Sequence, residues 1–178
     1  MKTYTLNVAG LTRELPLCEA APDLDIAAFI MFSDVELTVA CAKALLEKTD
    51  DFDIIITAES KGIPLAYELA RQSGKKYTVA RKSVKLYMSD PISVQVKSIT
   101  TAAMQTLYLS AEDAAEIKGR KVLIADDVIS TGESLIALER LVEEAGGIIS
   151  VKAAVLAEGK AADRTDIVYL EKLPVFPK

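Results

Sequence analysis

The chain has 178 residues, 21 lysines and arginines against 26 aspartates and glutamates, two cysteines, and neither tryptophan nor histidine. A hydrophobic fraction of 51 % with 26 % charged residues excludes disordered and fibrous classes and fits one domain with a real core. The missing histidine excludes a Ser-His-Asp triad, a Cys-His pair and a His-ligated zinc or haem, and the net charge of −5 argues against nucleic acid as a partner.

Taken in chain order, the first residues lack the apolar core of a signal peptide. The longest apolar run, Ile26 to Phe32, is far too short to span a membrane. Cys18 and Cys41 are expected to be small buried apolar residues in a reducing compartment, so the chain reads as soluble and cytoplasmic. Ser33-Asp34-Val35-Glu36 forms a capping box, with Val35, Val39, Ala42 and Leu46 at helical spacing behind it. Phe52 to Thr57 predicts a buried strand. A polar turn, Ala58 to Gly62, leads to a helix with Pro64 near its first position and Gly74 as its stop.

Tyr77 to Ala80 predicts a further strand. Residues 71–97 carry seven cations and one anion, a balance of +6 on a remainder of −11. Such an arm suits a small, highly charged anion, the alternative being a solvated surface loop. Ile92–Val96 and Thr106–Leu109 predict a hairpin with a mobile arm. Lys121 to Ala125 predicts a strongly apolar strand, followed by a polar turn to Gly132 and a helix from about Glu133 that ends at Gly146-Gly147. Ile148–Leu156 and Ile167–Leu170 complete the strands. With no repeat and no linker, residues 1–178 read as a single α/β domain: a largely parallel sheet with helices on both faces. Ligands of such sheets bind at the carboxyl ends of the strands.

The stretch Val122 to Ser134 carries the chemistry. A buried strand delivers Asp126 and Asp127, and the turn Ser130-Thr131-Gly132-Glu133-Ser134 opens a helix. Backbone N–H groups, three hydroxyls and the helix dipole there suit a phosphate. The carboxylates, repelled by that phosphate, suit nearby hydroxyls such as a ribose diol, or a water-coordinated Mg²⁺. The ligand therefore reads as a ribose 5-phosphate. Neither a Gly-x-x-x-x-Gly-Lys loop nor a Gly-x-Gly-x-x-Gly fingerprint is present.

This stretch resembles the phosphoribosyl-pyrophosphate signature of type I phosphoribosyltransferases, and the likeness runs over roughly residues 25–178. Ala58-Glu59-Ser60-Lys61-Gly62 is similar to the family's pyrophosphate loop, Arg81-Lys82-x-x-Lys85 to the start of its flexible catalytic loop, Phe32-Ser33-Asp34-Val35 to the adenine branch's base segment, and Leu173-Pro174-Val175-Phe176 to its closing strand. The resemblance implies a hood over about residues 1–35 and a flexible loop and hairpin over about 81–106. It implies that Asp126 and Asp127 bind the ribose hydroxyls and Ser130 through Ser134 the 5′-phosphate. Glu59, Ser60, Lys61 and Gly62, often with a cis peptide, would receive pyrophosphate, with Arg81, Lys82 and Lys85 closing over it. Met31, Phe32 and Ser33 would face the base, with Glu158-Gly159 on its other side. It further implies a homodimer and Mg²⁺ carried by substrate and water, no protein ligand being direct unless Asp126 or Asp127 takes part.

The implied reaction makes a nucleoside monophosphate and pyrophosphate from phosphoribosyl pyrophosphate and a purine, adenine being favoured. Breaking the anomeric bond builds positive charge on the sugar and negative charge on the leaving group, which the carboxylates and the cations of 81–85 are placed to meet. With no histidine, the base's proton is expected to go to a carboxylate such as Glu59, to water or to departing pyrophosphate. Lys61, Ser33 and Gly159 depart from the adenine pattern, and Ser93 to Thr100 is closer to the xanthine and purine-repressor branch. The alternatives are thus a xanthine- or hypoxanthine-type enzyme, or a non-catalytic sensor of phosphoribosyl pyrophosphate. The sensor is disfavoured by the acidic body and by the roughly 25 residues before the likeness, too few for a winged helix.

Overall fold

The computed structural model of the chain describes residues 2–97 and 104–178. Five parallel strands form the central sheet: β4 (Ile54–Ala58), β5 (Lys76–Ala80), β8 (Lys121–Ile129), β9 (Ile148–Glu158) and β10 (Val168–Leu173), in spatial order β5-β4-β8-β9-β10. The aliphatic runs make these strands because both faces are covered. Ile55, Leu123 and Ala125 pack with helices α1 (Val35–Leu46) and α2 (Ile63–Ser73). Ile54, Ile56, Val122 and Ile124 pack on the other side with α3 (Ala111–Ile117) and α4 (Glu133–Glu144). The expected α/β architecture is therefore present. Counted in chain order the strands run 2-1-3-4-5, a doubly wound sheet whose direction of winding reverses between β4 and β8.

The first 35 residues hold more regular structure than their sequence announces. β1 (Thr3–Val8), β2 (Leu11–Ala21) and β3 (Leu24–Ala27) form an antiparallel sheet closed by β11 (Val175–Pro177). Leu6, Val8 and Leu15 bury into the same core as α1. The closing segment is thus divided: Leu173 ends the parallel sheet and Val175 enters the antiparallel one. The expected hairpin is β6 (Ile92–Lys97) paired with β7 (Met104–Leu109). Of the segments read for the mobile arm and for branch assignment, residues 98–103 lie outside the described residues.

Four expectations change. The cap of α1 is Asp34, whose carboxylate accepts from Leu37 N, whereas Ser33 has φ +69° and lies outside the helix. Its buried stripe is Leu37, Cys41, Ala42 and Leu45, while Val35 is exposed. Cys18 is exposed and only Cys41 is buried. The strand after Lys121 continues through both aspartates to Ile129, so they stand on a strand rather than in a turn.

Candidate active site

The loops that follow β4 and β8 meet where those strands part. Register between them ends at Ile56 and Ile124, so Thr57–Gly62 and Ala125–Ser134 flank an open crevice at the reversal point. Along β8 the side chains alternate, and the two carboxylates take different surroundings. Asp127 is buried, with Oδ2 3.3 Å from Lys61 Nζ. Asp126 is half-buried, and its Oδ1 accepts from Asp127 N at 2.9 Å. Burial, then the charge of Asp127, push the Asp126 carboxyl well above its usual range.

Two recesses share the wall formed by Asp126, Val128 and Ser134. One, of about 90 Å³, is lined by the turn Ser130–Ser134. Gly132 sits at φ +81°, a left-handed conformation in which any side chain would be strained, so glycine is favoured at this position. Gly132 is the N-cap of α4 and offers no side-chain cap, and the Glu133 N–H donates to Thr131 Oγ1 at 3.5 Å, so the turn and the helix start are one unit.

The second recess, of about 180 Å³, is lined by Glu59, Ser60, Lys61, Lys82, Gln105, Asp126 and Asp127, among others. The Glu59–Ser60 peptide is cis. Gly62 is tightly seated, since a Cβ there would fall 2.4 Å from Thr57 Oγ1 and 3.3 Å from Asp126 Oδ1. Glu59 gathers the cations: its carboxylate accepts from Lys82 N at 3.0 Å and lies 3.2 Å from Arg81 Nη2 and 4.0 Å from Lys85 Nζ. The Lys82 N–H, then the charges of Arg81, Lys85 and Lys82, hold its carboxyl below the usual range. Glu59 is thus held in its charged form among these cations. Arg81 is pinned by paired backbone bonds with Tyr108, 2.8 Å each way, so the loop's first residue is fixed to β7.

The base residues are placed less compactly. Met31 is buried and Ser33 lines a larger apolar groove of about 380 Å³ between α1 and α2, with Val35, Val39, Tyr67 and Tyr77. Phe32 is about half exposed and does not line that groove. Glu158 ends β9 on the same sheet edge as the aspartates, and neither it nor Met31, Phe32 or Ser33 lines the two recesses. The segment is held from the N-terminal sheet: Arg13 forks onto Asp34 at 2.7 and 3.0 Å and reaches Glu36 at 2.8 Å. Gln105, Arg13 and Arg164 escape sequence reading because each arrives from a distant element.

A doubly wound sheet with paired carboxylates, a helix-opening turn and clustered cations at its reversal point has the outline of an α/β protein for phosphorylated sugars. The chain belongs to the phosphoribosyltransferase family: it matches the phosphoribosyl transferase domain over residues 36–172. It is 34 % identical over 131 residues to a hypoxanthine/guanine phosphoribosyltransferase of Methanothermococcus okinawensis, covering 70 % of this chain and 68 % of that one. It is equally 34 % identical over 134 residues to an adenine phosphoribosyltransferase of Thermotoga neapolitana, covering 70 % and 75 %. In fold it matches the adenine phosphoribosyltransferase of Thermoanaerobacter pseudethanolicus with TM-score 0.72, 23 % identity and coverage of 89 % and 95 %.

Proposed function

We propose that the chain is a purine phosphoribosyltransferase that joins a free purine, adenine first, to the ribose of phosphoribosyl pyrophosphate and releases pyrophosphate. The observation that carries this reading is the shared wall at Asp126, Val128 and Ser134. There a phosphate-sized recess lies beside a cation-lined one, with the Asp126 carboxylate between them and Asp127 in the second. In this reading residues 130–134 hold the 5′-phosphate by N–H groups and hydroxyls. Asp126 and Asp127 face the ribose, where positive charge develops as the anomeric bond breaks. Ser60, Lys61, Gly62 and Lys82 take the departing pyrophosphate, while Glu59 aligns Arg81 and Lys85 toward it. Holding sugar and base in line supplies much of the remaining acceleration.

The donor set fits Mg²⁺. Asp127 Oδ2 is buried without a hydrogen-bond donor, and the carboxylates are hard oxygen ligands. Among the described residues no three His, Cys, Asp or Glu side chains gather into a metal site, so Asp126 and Asp127 would hold the ion together with substrate oxygens and water. When bound, Mg²⁺ neutralises charge on the leaving pyrophosphate.

Met31 to Ser33 and Glu158 remain the proposed base contacts, and residues 1–35 the hood of a single domain. A second copy of this chain is the proposed occupant of the apolar groove, because Val35, Tyr67 and the adjoining Phe32 are exposed and a large apolar patch seeks a partner. The unpaired cysteines suit the cytoplasm. Among the described residues no helix is long and apolar enough to cross a membrane.

The test supplies protein, Mg²⁺ and phosphoribosyl pyrophosphate with adenine, hypoxanthine, guanine or xanthine in turn. Release of pyrophosphate fastest with adenine supports the full reading. Fastest release with another purine moves the specificity, and binding without release from any purine replaces the enzyme with the sensor.

A further inference from the structure

Among the described residues four buried side-chain polar atoms have no hydrogen-bond partner: Thr57 Oγ1, Arg81 Nε, Glu116 Oε2 and Asp127 Oδ2. Three of these belong to the crevice between β4 and β8. The charged ones have ionic company, Asp127 with Lys61, Arg81 with Glu59 and Glu116 with Arg120. Thr57 is different. It is fully buried in an otherwise apolar strand, Ile54-Ile55-Ile56-Thr57-Ala58, where valine would fill the same volume without a polar atom to satisfy. A buried hydroxyl with no partner lowers stability, so its presence asks for a reason outside packing.

Its position supplies one. Thr57 is the first residue of β4 beyond the last pair with β8, while its backbone still keeps register with Val79 of β5. The hydroxyl is buried behind the crevice wall, and Thr57 lines neither recess. A Cβ built on Gly62 would lie 2.4 Å from this hydroxyl and 3.3 Å from Asp126 Oδ1, so only a glycine leaves room between them. The hydroxyl and the Asp126 carboxylate therefore both crowd the same side of Gly62 in the loop assigned to pyrophosphate. The hydroxyl carries one donor and two acceptor positions.

We propose that Thr57 is a positioning residue: its buried hydroxyl fixes Gly62 of the pyrophosphate loop against Asp126 when the crevice is loaded. The proposal rests on the phosphoribosyltransferase reading of the crevice. Thr57 touches no reacting atom; it sets how far the loop stands from the carboxylate, a spacing that catalysis by placement depends on. It also trades stability for that spacing, as functional sites commonly do.

Thr57→Val removes the hydroxyl and keeps the shape, and Thr57→Ser keeps the hydroxyl and loses a methyl group. The measurements are Tm, kcat, and the Kd values for pyrophosphate with Mg²⁺ and for ribose 5-phosphate. Thr57→Val is expected to raise Tm by about 2–5 °C, to weaken pyrophosphate binding and lower kcat about tenfold each, and to leave ribose 5-phosphate binding within about twofold. Thr57→Ser is expected to restore pyrophosphate binding and kcat. Unchanged pyrophosphate binding in Thr57→Val, or equal losses for both ligands with a lowered Tm, would overturn the assignment and leave Thr57 a packing residue. Wild-type protein that binds neither ligand would instead overturn the reading of the crevice itself.

Discussion

Lys61 Nζ stands 3.3 Å from Asp127 Oδ2, so a lysine of the pyrophosphate loop is paired with a carboxylate assigned to the sugar. The lysine is about half exposed and the aspartate almost fully buried. Lys61→Ala leaves the buried Asp127 carboxylate without this counter-charge and should cost about 1–3 kcal/mol of stability. Its effect on turnover should be larger, because the proposed function has the same cation take the leaving group. Chemical denaturation beside steady-state rates separates the two: a stability loss that accounts for all of the activity loss would remove Lys61 from the chemistry.

Asp126 gives a pH signature. Burial and Asp127 raise its pKa, so the folded chain keeps a proton that the unfolded chain releases. The stability linked to that proton is complete below the ordinary carboxylate pKa, about 4. It is lost as pH rises from there through the raised folded value. Asp126→Asn keeps the shape without the charge and should raise Tm at neutral pH while lowering activity. Thermal melts from about pH 5 to about pH 8 should show a smaller decline for the variant than for wild type. Parallel curves would contradict this account of Asp126.

Glu59 behaves oppositely. Its pKa is lowered by the Lys82 N–H and the neighbouring cations. Its hold on the loop should persist above the ordinary carboxylate range and fail only as pH falls through the lowered value. Glu59→Gln should lower kcat about tenfold by loosening Arg81 and Lys85, without moving the upper limb of the pH–rate profile. Loss of that upper limb would make Glu59 the acceptor of the base's proton.

Arg13 forks onto Asp34 and reaches Glu36 at the start of α1, so it ties the N-terminal sheet to the segment assigned to the base. Arg13→Ala should raise KM for the purine several-fold and leave KM for phosphoribosyl pyrophosphate unchanged. An equal rise in both would mean a general loosening of the fold.

The two cysteines should separate cleanly. Burial, then the charge of Asp34, push the Cys41 thiol up to about 12, whereas Cys18 is exposed. A thiol reagent near pH 8 should label one cysteine per folded chain quickly and the second only on unfolding. Two fast thiols would contradict the packing of α1.

The central sheet was legible because Ile54-Ile55-Ile56 and Val122-Leu123-Ile124 are aliphatic runs that only a doubly covered strand can bury. The turn Ser130–Ser134 was legible as a helix start because its hydroxyls and glycine are consecutive. β2 was not, since the adjacent Arg13-Glu14 and the run Leu15-Pro16-Leu17-Cys18 break the alternation that marks a strand. α3 was missed as well: it is seven residues long, with its Ser110 cap the main signal. The face of α1 misled because Val35 is apolar yet exposed, a choice made by the groove it borders. Thr57, Gln105 and Arg13 matter through neighbours far off in the chain, which periodicity does not report.

The central claim is that the crevice between β4 and β8 breaks the sugar–pyrophosphate bond. The most direct measurement follows nucleotide, pyrophosphate and phosphoribosyl pyrophosphate together in one reaction with adenine and Mg²⁺, for wild type and for Asp127→Asn. The account predicts one nucleotide and one pyrophosphate for each phosphoribosyl pyrophosphate consumed. It also predicts a rate at least about 100-fold lower in a variant that still folds and binds ribose 5-phosphate. Phosphoribosyl pyrophosphate bound but not consumed, or an undiminished rate in Asp127→Asn, would contradict it.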